Sequence, residues 1–244
     1  MPKVISLNVS RRTYRPYLAA IFASPSTLTT KTLIRQQNRT ERGLKRSGDV
    51  IFSLAVLTLG SPVLLLLACL IKLGSPGPIF YVQRRVGRDY KYFGCIKFRT
   101  MRPDADATLA AFLIEDPELK AEYERDFKLR CDPRVTRIGK FLRSSSLDEL
   151  PQFINILLGD MSVVGPRPIV DKELVRYGPY MDEVVAVRPG LTGLWQVSGR
   201  NNLSYKKRVK LDLAYVRGRS FALDCAIIAR TFSLLLLPID RGAY

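Results

Sequence analysis

The chain has 244 residues, 47% of them hydrophobic, which is enough for one large domain or two small ones. Its 39 Lys and Arg against 22 Asp and Glu give a net charge of +17. That excess calls for an anionic partner: nucleic acid, an anionic membrane surface or a phosphorylated substrate. There is no histidine, so the commonest general base and transition-metal ligand are excluded, and any metal is expected to be a hard, oxygen-bound ion such as Mg²⁺.

Residues 1–43 are rich in Ser, Thr, Arg and Gln without sustained periodicity, and read as a basic, flexible N-terminal arm able to touch anionic headgroups. Met1 to Ser10 shows no apolar core followed by a cleavage site, so no secretory signal is expected. Val50 to Ile71 is a run of 22 residues without a charge. At ~1.5 Å per residue it just reaches across a ~30 Å hydrocarbon core. Pro62 stands at its centre behind Gly60 and Ser61, where a sharp bend is easy. Both flanks are basic, with Arg42, Lys45 and Arg46 before and Lys72, Arg84, Arg85 and Arg88 after, which places both ends on the cytoplasmic side. Residues 44–74 are therefore expected to form a re-entrant membrane helix broken at Ser61 and Pro62, in preference to a kinked span or a buried soluble helix.

Residues 74–102 have Gly/Pro turns and then alternating stretches at Phe80–Val82 and Tyr92–Phe98, the pattern of a hairpin turning near Gly87-Arg88-Asp89. Residues 103–128 read as an acidic helix, Asp132-Pro133 as a turn, and Val135–Leu142 as a short amphipathic piece. Pro151–Leu158 carries apolar residues at 153, 154, 157 and 158, a helical stripe closed by Gly159. Residues 203–217 and 221–237 predict two more amphipathic helices, the last apolar enough to lie on a membrane and too short to cross it. No alternation of strands and helices suggests a Rossmann sheet. The expected fold is α+β, mostly helical, in a monotopic membrane protein with amphipathic interfacial helices, residues 75–244 forming the cytosolic catalytic domain.

Charge is unevenly placed along this frame. Residues 72–102 carry eight Lys/Arg against Asp89 alone, whereas 104–126 hold eight acidic residues against Lys120 and Arg125. A uniformly basic nucleic-acid binder has little use for that acidic stretch. Cys69, Cys95, Cys131 and Cys225 match no metal-ligand spacing and read as reduced thiols.

The chemistry concentrates in residues 140–168, KFLRSSSLDELPQFINILLGDMSVVGPRP. Two adjacent carboxylates, Asp148 and Glu149, lie between Arg143 and Arg167, the latter held in a turn by Pro166 and Pro168. Carboxylates can attack phosphorus or hold a metal, and arginines can clamp phosphate oxygens. Ser146 to Glu149 also fits a capping box, but that register puts Pro151 at the fifth helical position. A helix begun at Asp148 instead puts Pro151 in the first turn, with Asp148 as the cap. Lys97 and Arg99 flank Phe98 on one strand face, either toward phosphate or toward solvent. Residues 188–200 hold the sole tryptophan beside two glycines; Trp195, Gln196 and Arg200 mark either a nucleoside-binding turn or a loop pinned by a core indole.

Residues 44–101, DPRVTRIGKFLRSSSLDELPQFINILLGDMSVVGPRP and RPGLTGLWQVSGR occur in an order and at a length that resemble the bacterial sugar transferase family, the monotopic phosphoglycosyl transferases that initiate exopolysaccharide assembly. The likeness runs from about residue 44 to 237. It implies a re-entrant helix broken at Ser61-Pro62, Asp148 as a nucleophile forming a phosphosugar–enzyme intermediate, Glu149 as a holder of Mg²⁺, and phosphate binding by Arg143 and Arg167. Many members carry an acidic residue after the GPRP turn; this chain has Ile169. The chain also resembles the short forms, which lack extra N-terminal transmembrane helices.

The resulting expectation is transfer of a sugar-1-phosphate from a UDP-sugar to polyprenyl (undecaprenyl) phosphate with release of UMP, on the cytoplasmic face of the bacterial inner membrane. Expected partners are these two substrates and anionic lipids but no nucleic acid, with a homodimer left open. A basic, membrane-peripheral nucleic-acid-binding protein is the alternative.

Overall fold

The computed structural model describes residues 39–126, 129, 132–199 and 202–236; the arm expected at 1–43 lies outside them up to residue 38. Helix α1 runs Arg39–Leu59 and α2 Ser61–Gly74, and the two meet at a bend of 62°. The cause is local. Pro62 has no N–H to give the Thr58 carbonyl four residues back, and the Ser61 hydroxyl donates to that carbonyl instead at 2.8 Å. A Cβ at Gly60 would stand 2.5 Å from the Val56 oxygen, so the bend requires glycine there. Among the described residues no single helix is long and apolar enough to cross a membrane. Ile51, Leu54, Leu65 and Leu66 are exposed along the bent pair, as are Leu59 (82%) and Leu73 (85%). Exposed apolar surface on this scale marks a binding face.

The opposite side of α1 is fastened to the protein. Lys45 pairs with Asp224 at 2.5 Å and donates to the Val164 carbonyl, and Arg46 donates to the carbonyls of Ile156 and Leu157. Asp49 accepts from the Val163 amide at 3.1 Å. Two of the three basic residues that precede the apolar run therefore hold α1 onto the domain.

Strands β1 (Phe80–Val86) and β2 (Tyr92–Phe98) form the expected antiparallel hairpin, turning through Asp89 and Tyr90 at φ 54° and 60°. The register pairs Tyr81 with Lys97, Gln83 with Cys95 and Arg85 with Phe93, so these six share one face. The acidic segment is two helices rather than one, α3 (Ala105–Glu115) and α4 (Pro117–Asp126). Pro117 starts the second, where its missing N–H costs nothing, and the Asp116 carboxylate accepts from the Glu118 and Leu119 amides.

Helix α5 (Arg137–Ser145) is capped by Thr136, whose hydroxyl accepts from the Gly139 amide. Gly139 lies against the Thr100 backbone so closely that a Cβ would meet its oxygen at 2.0 Å. Ser146, at φ 60°, turns the chain into a single 3₁₀ turn, Leu147–Glu149. Helix α6 (Gln152–Leu158) follows, ended by Gly159 at φ 94°. Strand β3 (Ser162–Val164) pairs in parallel with β4 (Gly190–Thr192), a ladder the sequence pattern did not signal. Between them lie α7 (Asp171–Tyr177) and α8 (Met181–Val184); after them come α9 (Leu194–Ser198), α10 (Tyr205–Gly218) and α11 (Phe221–Leu236). The main core gathers Cys95, Phe153, Ile156, Val164, Leu194, Tyr215 and Ile227 around the two sheets. The result is α+β and mostly helical, as expected.

Arg99 departs from expectation. It lies just past β2, only 6% exposed, and its terminal nitrogens donate to the Pro76 carbonyl at 2.6 Å and to the Ser75 carbonyl and hydroxyl at 2.8 and 2.9 Å. Those oxygens belong to the turn that leaves α2, so Arg99 staples the bent helix to the hairpin. Arg99→Met should cost about 3 kcal/mol, since it removes the charge-assisted hydrogen bonds of a buried guanidinium, and should lower Tm by roughly 6–12 °C. Thermal unfolding in detergent measures this; an unchanged Tm would mean the staple contributes nothing.

Candidate active site

Three segments bring charge to one place. The first is β2, whose face presents Lys97. Its ammonium meets Glu149 Oε1 at 2.6 Å across 52 residues of sequence. The second is the 3₁₀ turn itself. Ser146 closes α5 in a left-handed conformation and its amide bonds back to the Arg143 carbonyl, so Asp148 and Glu149 follow directly after the helix. Neither capping arrangement forms: Ser146 and Asp148 make no side-chain cap, and α6 begins only at Gln152. Pro151 excludes a helix started at Ser146, where its amide would be needed; the chain instead closes the 3₁₀ turn Leu147–Glu149 before α6. No ion pair or hydrogen bond occupies the Asp148 carboxylate among the described residues.

The third segment is the Gly165-Pro166-Arg167-Pro168 turn. Gly165 donates to the Thr192 carbonyl at 2.9 Å, and Gly190 donates to Pro166 at 2.7 Å. A Cβ on Gly190 would lie 2.0 Å from the Gly165 nitrogen, and one on Gly193 would lie 2.3 Å from its oxygen. These glycines exist so that two backbones can touch; that contact aims Arg167 at Glu149, 3.9 Å away. Arg85, on the Lys97 face of the hairpin, donates to the Pro168 carbonyl at 3.0 Å and reaches Glu173 at 3.8 Å. Arg143 approaches from α5, its Nε donating to the Thr100 hydroxyl at 3.0 Å. Beneath the turn, Tyr177 donates to the fully buried Asp212 at 2.8 Å. Burial pushes the Asp212 carboxyl up to about 8, against the opposing pull of Tyr177 and Arg167.

These surroundings drive the two adjacent carboxyls apart. Burial, joined by the charge of Glu149, raises Asp148 to about 6 in spite of Lys97, Arg143 and Arg167. Burial works in the same direction on Glu149, but Lys97 and Arg167 outweigh it and bring that group down to about 2. Glu149 is thus a fixed anion that holds the cations in place. Asp148 is a carboxylate without an ion-pair or hydrogen-bond partner among the described residues, mostly ionised at neutral pH and in the field of Lys97, Arg143 and Arg167. A carboxylate in this state has the charge and the open lone pairs that either attack on phosphorus or metal binding requires.

A family model described as bacterial sugar transferase matches residues 40–237. The chain belongs to the bacterial sugar transferase family. It is 49% identical over 195 residues to an uncharacterized sugar transferase of Haemophilus influenzae, covering 80% of this chain and 41% of that protein. It is 46% identical over 216 residues to the undecaprenyl-phosphate galactose phosphotransferase of Salmonella typhimurium, covering 87% and 45%. With the exopolysaccharide production protein ExoY of Rhizobium meliloti it shares 46% over 200 residues, 82% of this chain and 88% of that one. The chain thus spans less than half the length of the first two relatives and most of the third.

Of the residues singled out in this sugar transferase sequence, Asp148, Glu149, Lys97 and Arg167 come together, with Arg143 on the Asp148 side. Arg99 does not join them, for the reason given above. Trp195 is 5% exposed, its ring flanked by the guanidinium groups of Arg167 at 5.9 Å and Arg208 at 4.9 Å. It is therefore the core indole of the two alternatives, with no open face on which a base could stack. Gln196 does reach the cluster, and Arg200 lies outside the described residues. Ile169 is buried and bridges to Val86, a core position. Sequence reading missed Arg85 and Gln152. Alternation along β1 puts Arg85 on the face of Gln83, but only the register with β2 shows that this is also the Lys97 face.

Proposed function

We propose that this protein transfers a sugar-1-phosphate from a UDP-sugar to polyprenyl phosphate, releasing UMP, through a covalent intermediate on Asp148. The observation that carries the reading is the division of labour between the paired carboxyls: Glu149 neutralised by Lys97 and Arg167, Asp148 left without a partner beside them. Relatives whose names include transfer onto undecaprenyl phosphate favour it over the nucleic-acid-binding alternative.

In the first step an Asp148 oxygen attacks the phosphorus that bears the sugar. The bond from that phosphorus to the bridging oxygen breaks, and UMP leaves with the electron pair. No proton has to be removed from a carboxylate that is already ionised, which suits a chain without histidine. Arg167 and Lys97 stabilise the charge on the diphosphate, and Arg143 holds the neighbouring oxygen. In the second step an oxygen of polyprenyl phosphate attacks the same phosphorus, the Asp148–phosphorus bond breaks, and the carboxylate is restored.

Mg²⁺ fits this donor set. Among the described residues no group of three or more acidic or thiol ligands could hold a metal, but Mg²⁺ needs only one or two carboxylates and takes its remaining ligands from water and substrate phosphates. Lys97 and Arg167 both contact Glu149 Oε1, so Glu149 would hold it through Oε2, and when bound it would offset the repulsion between an anionic nucleophile and an anionic diphosphate.

The membrane reading rests on α1 and α2. Their bend and exposed leucines suit a re-entrant pair in the cytoplasmic leaflet, with a lipid phosphate delivered beside the domain. In a cysteine-free background, Gly43→Cys and Pro78→Cys should both react with a membrane-impermeant maleimide only in inside-out vesicles. Labelling from opposite faces would replace the re-entrant topology with a span. Pro62→Leu restores the missing amide and should convert some of the population to that span.

The activity itself is tested by incubating the full chain in detergent with Mg²⁺, a polyprenyl phosphate and a panel of UDP-sugars. UMP release with at least one donor is expected; none with any donor overturns the proposal.

A further inference from the structure

Behind Glu149 lies a recess of about 10 Å³, lined by Lys97, Arg85, Arg167, Gln152 and Gln196. That is the room one water-sized group needs. Two of its lining residues carry a buried polar atom without a hydrogen-bond partner among the described residues, Gln152 Nε2 and Gln196 Oε1. Gln152 is 2% exposed and opens α6, three residues after Glu149. The Gln196 amide is oriented by its surroundings: Nε2 donates to the Leu191 carbonyl at 3.0 Å, which directs Oε1 the other way. Gly193 leaves room for that oxygen, since a Cβ there would stand 2.7 Å from it.

A buried amide donor and a buried amide acceptor left open in one recess are costly unless a ligand completes them. The complement is a group that accepts one hydrogen bond and donates another within the space of a water molecule. A hydroxyl does this; a planar base edge is too large for the recess, and a phosphate oxygen has no proton for Gln196. In the proposed reaction Lys97 and Arg167, which also line the recess, would hold the diphosphate next to it.

Resting on the transferase reading above, we propose that Gln152 and Gln196 form a hydroxyl-binding subsite that reads one hydroxyl of the nucleotide-sugar donor. Gln152 donates to the hydroxyl oxygen and Gln196 accepts its proton. The hydroxyl belongs either to the sugar or to the ribose. A site of this kind discriminates strongly, because an analogue lacking the hydroxyl leaves both amides unpaired.

The experiment compares the parent enzyme with Gln152→Met and Gln196→Leu, using UDP-hexoses deoxygenated at one ring position each and a 2′-deoxyribose donor. For one analogue the parent should lose about tenfold in kcat/KM, the equivalent of ~1.4 kcal/mol. Each variant should lose a similar factor on the intact donor and nothing further on that analogue. A sugar analogue giving this pattern places the hydroxyl on the hexose, and the 2′-deoxy donor giving it places the hydroxyl on the ribose. Losses that multiply independently for every analogue would mean the amides hold only water or serve packing, and would overturn the subsite. Two variants guard against misfolding of either, with Tm measured for both. Absence of UMP release from every donor by the parent would instead remove the transferase reading, and this one with it.

Discussion

Asp148→Asn should abolish exchange of labelled UMP into the UDP-sugar in the absence of any lipid acceptor, and should lower overall transfer by about 10⁴-fold or more, as loss of a nucleophile does. The parent enzyme should show that exchange. A covalent step is reversible before the acceptor arrives, so label enters the donor only if UMP can leave and return. Asparagine preserves the shape of the turn but offers a neutral amide in place of an anionic oxygen. Exchange that strictly requires polyprenyl phosphate would instead point to direct attack by the lipid, with Asp148 reduced to a metal ligand.

The same residue sets two pH responses. Its carboxyl is raised from the usual 3.8 to about 6, first by burial and then by Glu149. Asp148 is therefore protonated below about pH 6, and if it is the nucleophile proposed above, kcat/KM should fall tenfold per unit there. Stability runs the other way. A carboxyl whose pKa is raised by folding contributes stability that is fully present below about pH 4 and is lost as pH rises through about 6. Asp148→Asn should then melt above the parent at pH 7.5 and together with it near pH 4. A variant no more stable than the parent at pH 7.5 would contradict the strained carboxylate pair. Sites that hold like charges together commonly give up stability for function.

Arg167→Lys is the second change with a large expected effect, a loss of about 100-fold in kcat/KM with little change in Tm. The guanidinium has two tasks that an ammonium cannot share. It lies 3.9 Å from Glu149 and 5.9 Å from the centre of the buried Trp195 indole. A planar fork can keep its place beside the indole and still present nitrogens to a diphosphate; a point charge on a flexible stem is drawn to Glu149 alone. The turn that carries it has little freedom to compensate, because Gly165 is pressed against Gly190 and Gly193. Full activity in Arg167→Lys would show that the residue supplies charge and no clamp.

How much of this was legible in the sequence varies by residue. The hairpin, the broken apolar helix, α6 with its Gly159 stop and the two C-terminal helices follow from local period and turn chemistry. Asp148, Glu149, Arg143 and Arg167 stood out because they are close in sequence and chemically matched to phosphate. Lys97 was equally weak with Arg99 on paper, yet they part company in space. One meets Glu149, and the other bonds Ser75 and Pro76. Pattern on a strand gives the face of a side chain but not what stands opposite it. The glycines at 190 and 193, read as part of either a nucleoside-binding turn or a loop pinned by a core indole, approach the backbone of Gly165.

The chain by itself determined the hairpin, the break of the apolar helix at Ser61-Pro62 and the Gly159 stop of α6, because each of these depends on residues within about one or two turns of each other. Tertiary structure decided which charges are spoken for. Lys45 reaches Asp224 across 179 residues, Arg46 reaches Ile156 across 110, and Lys97 reaches Glu149 across 52. No local period encodes such partners, since they arise when separate elements pack around a common core. That packing neutralises Glu149 and leaves Asp148 without a partner, and so gives two neighbouring carboxylates different charge environments.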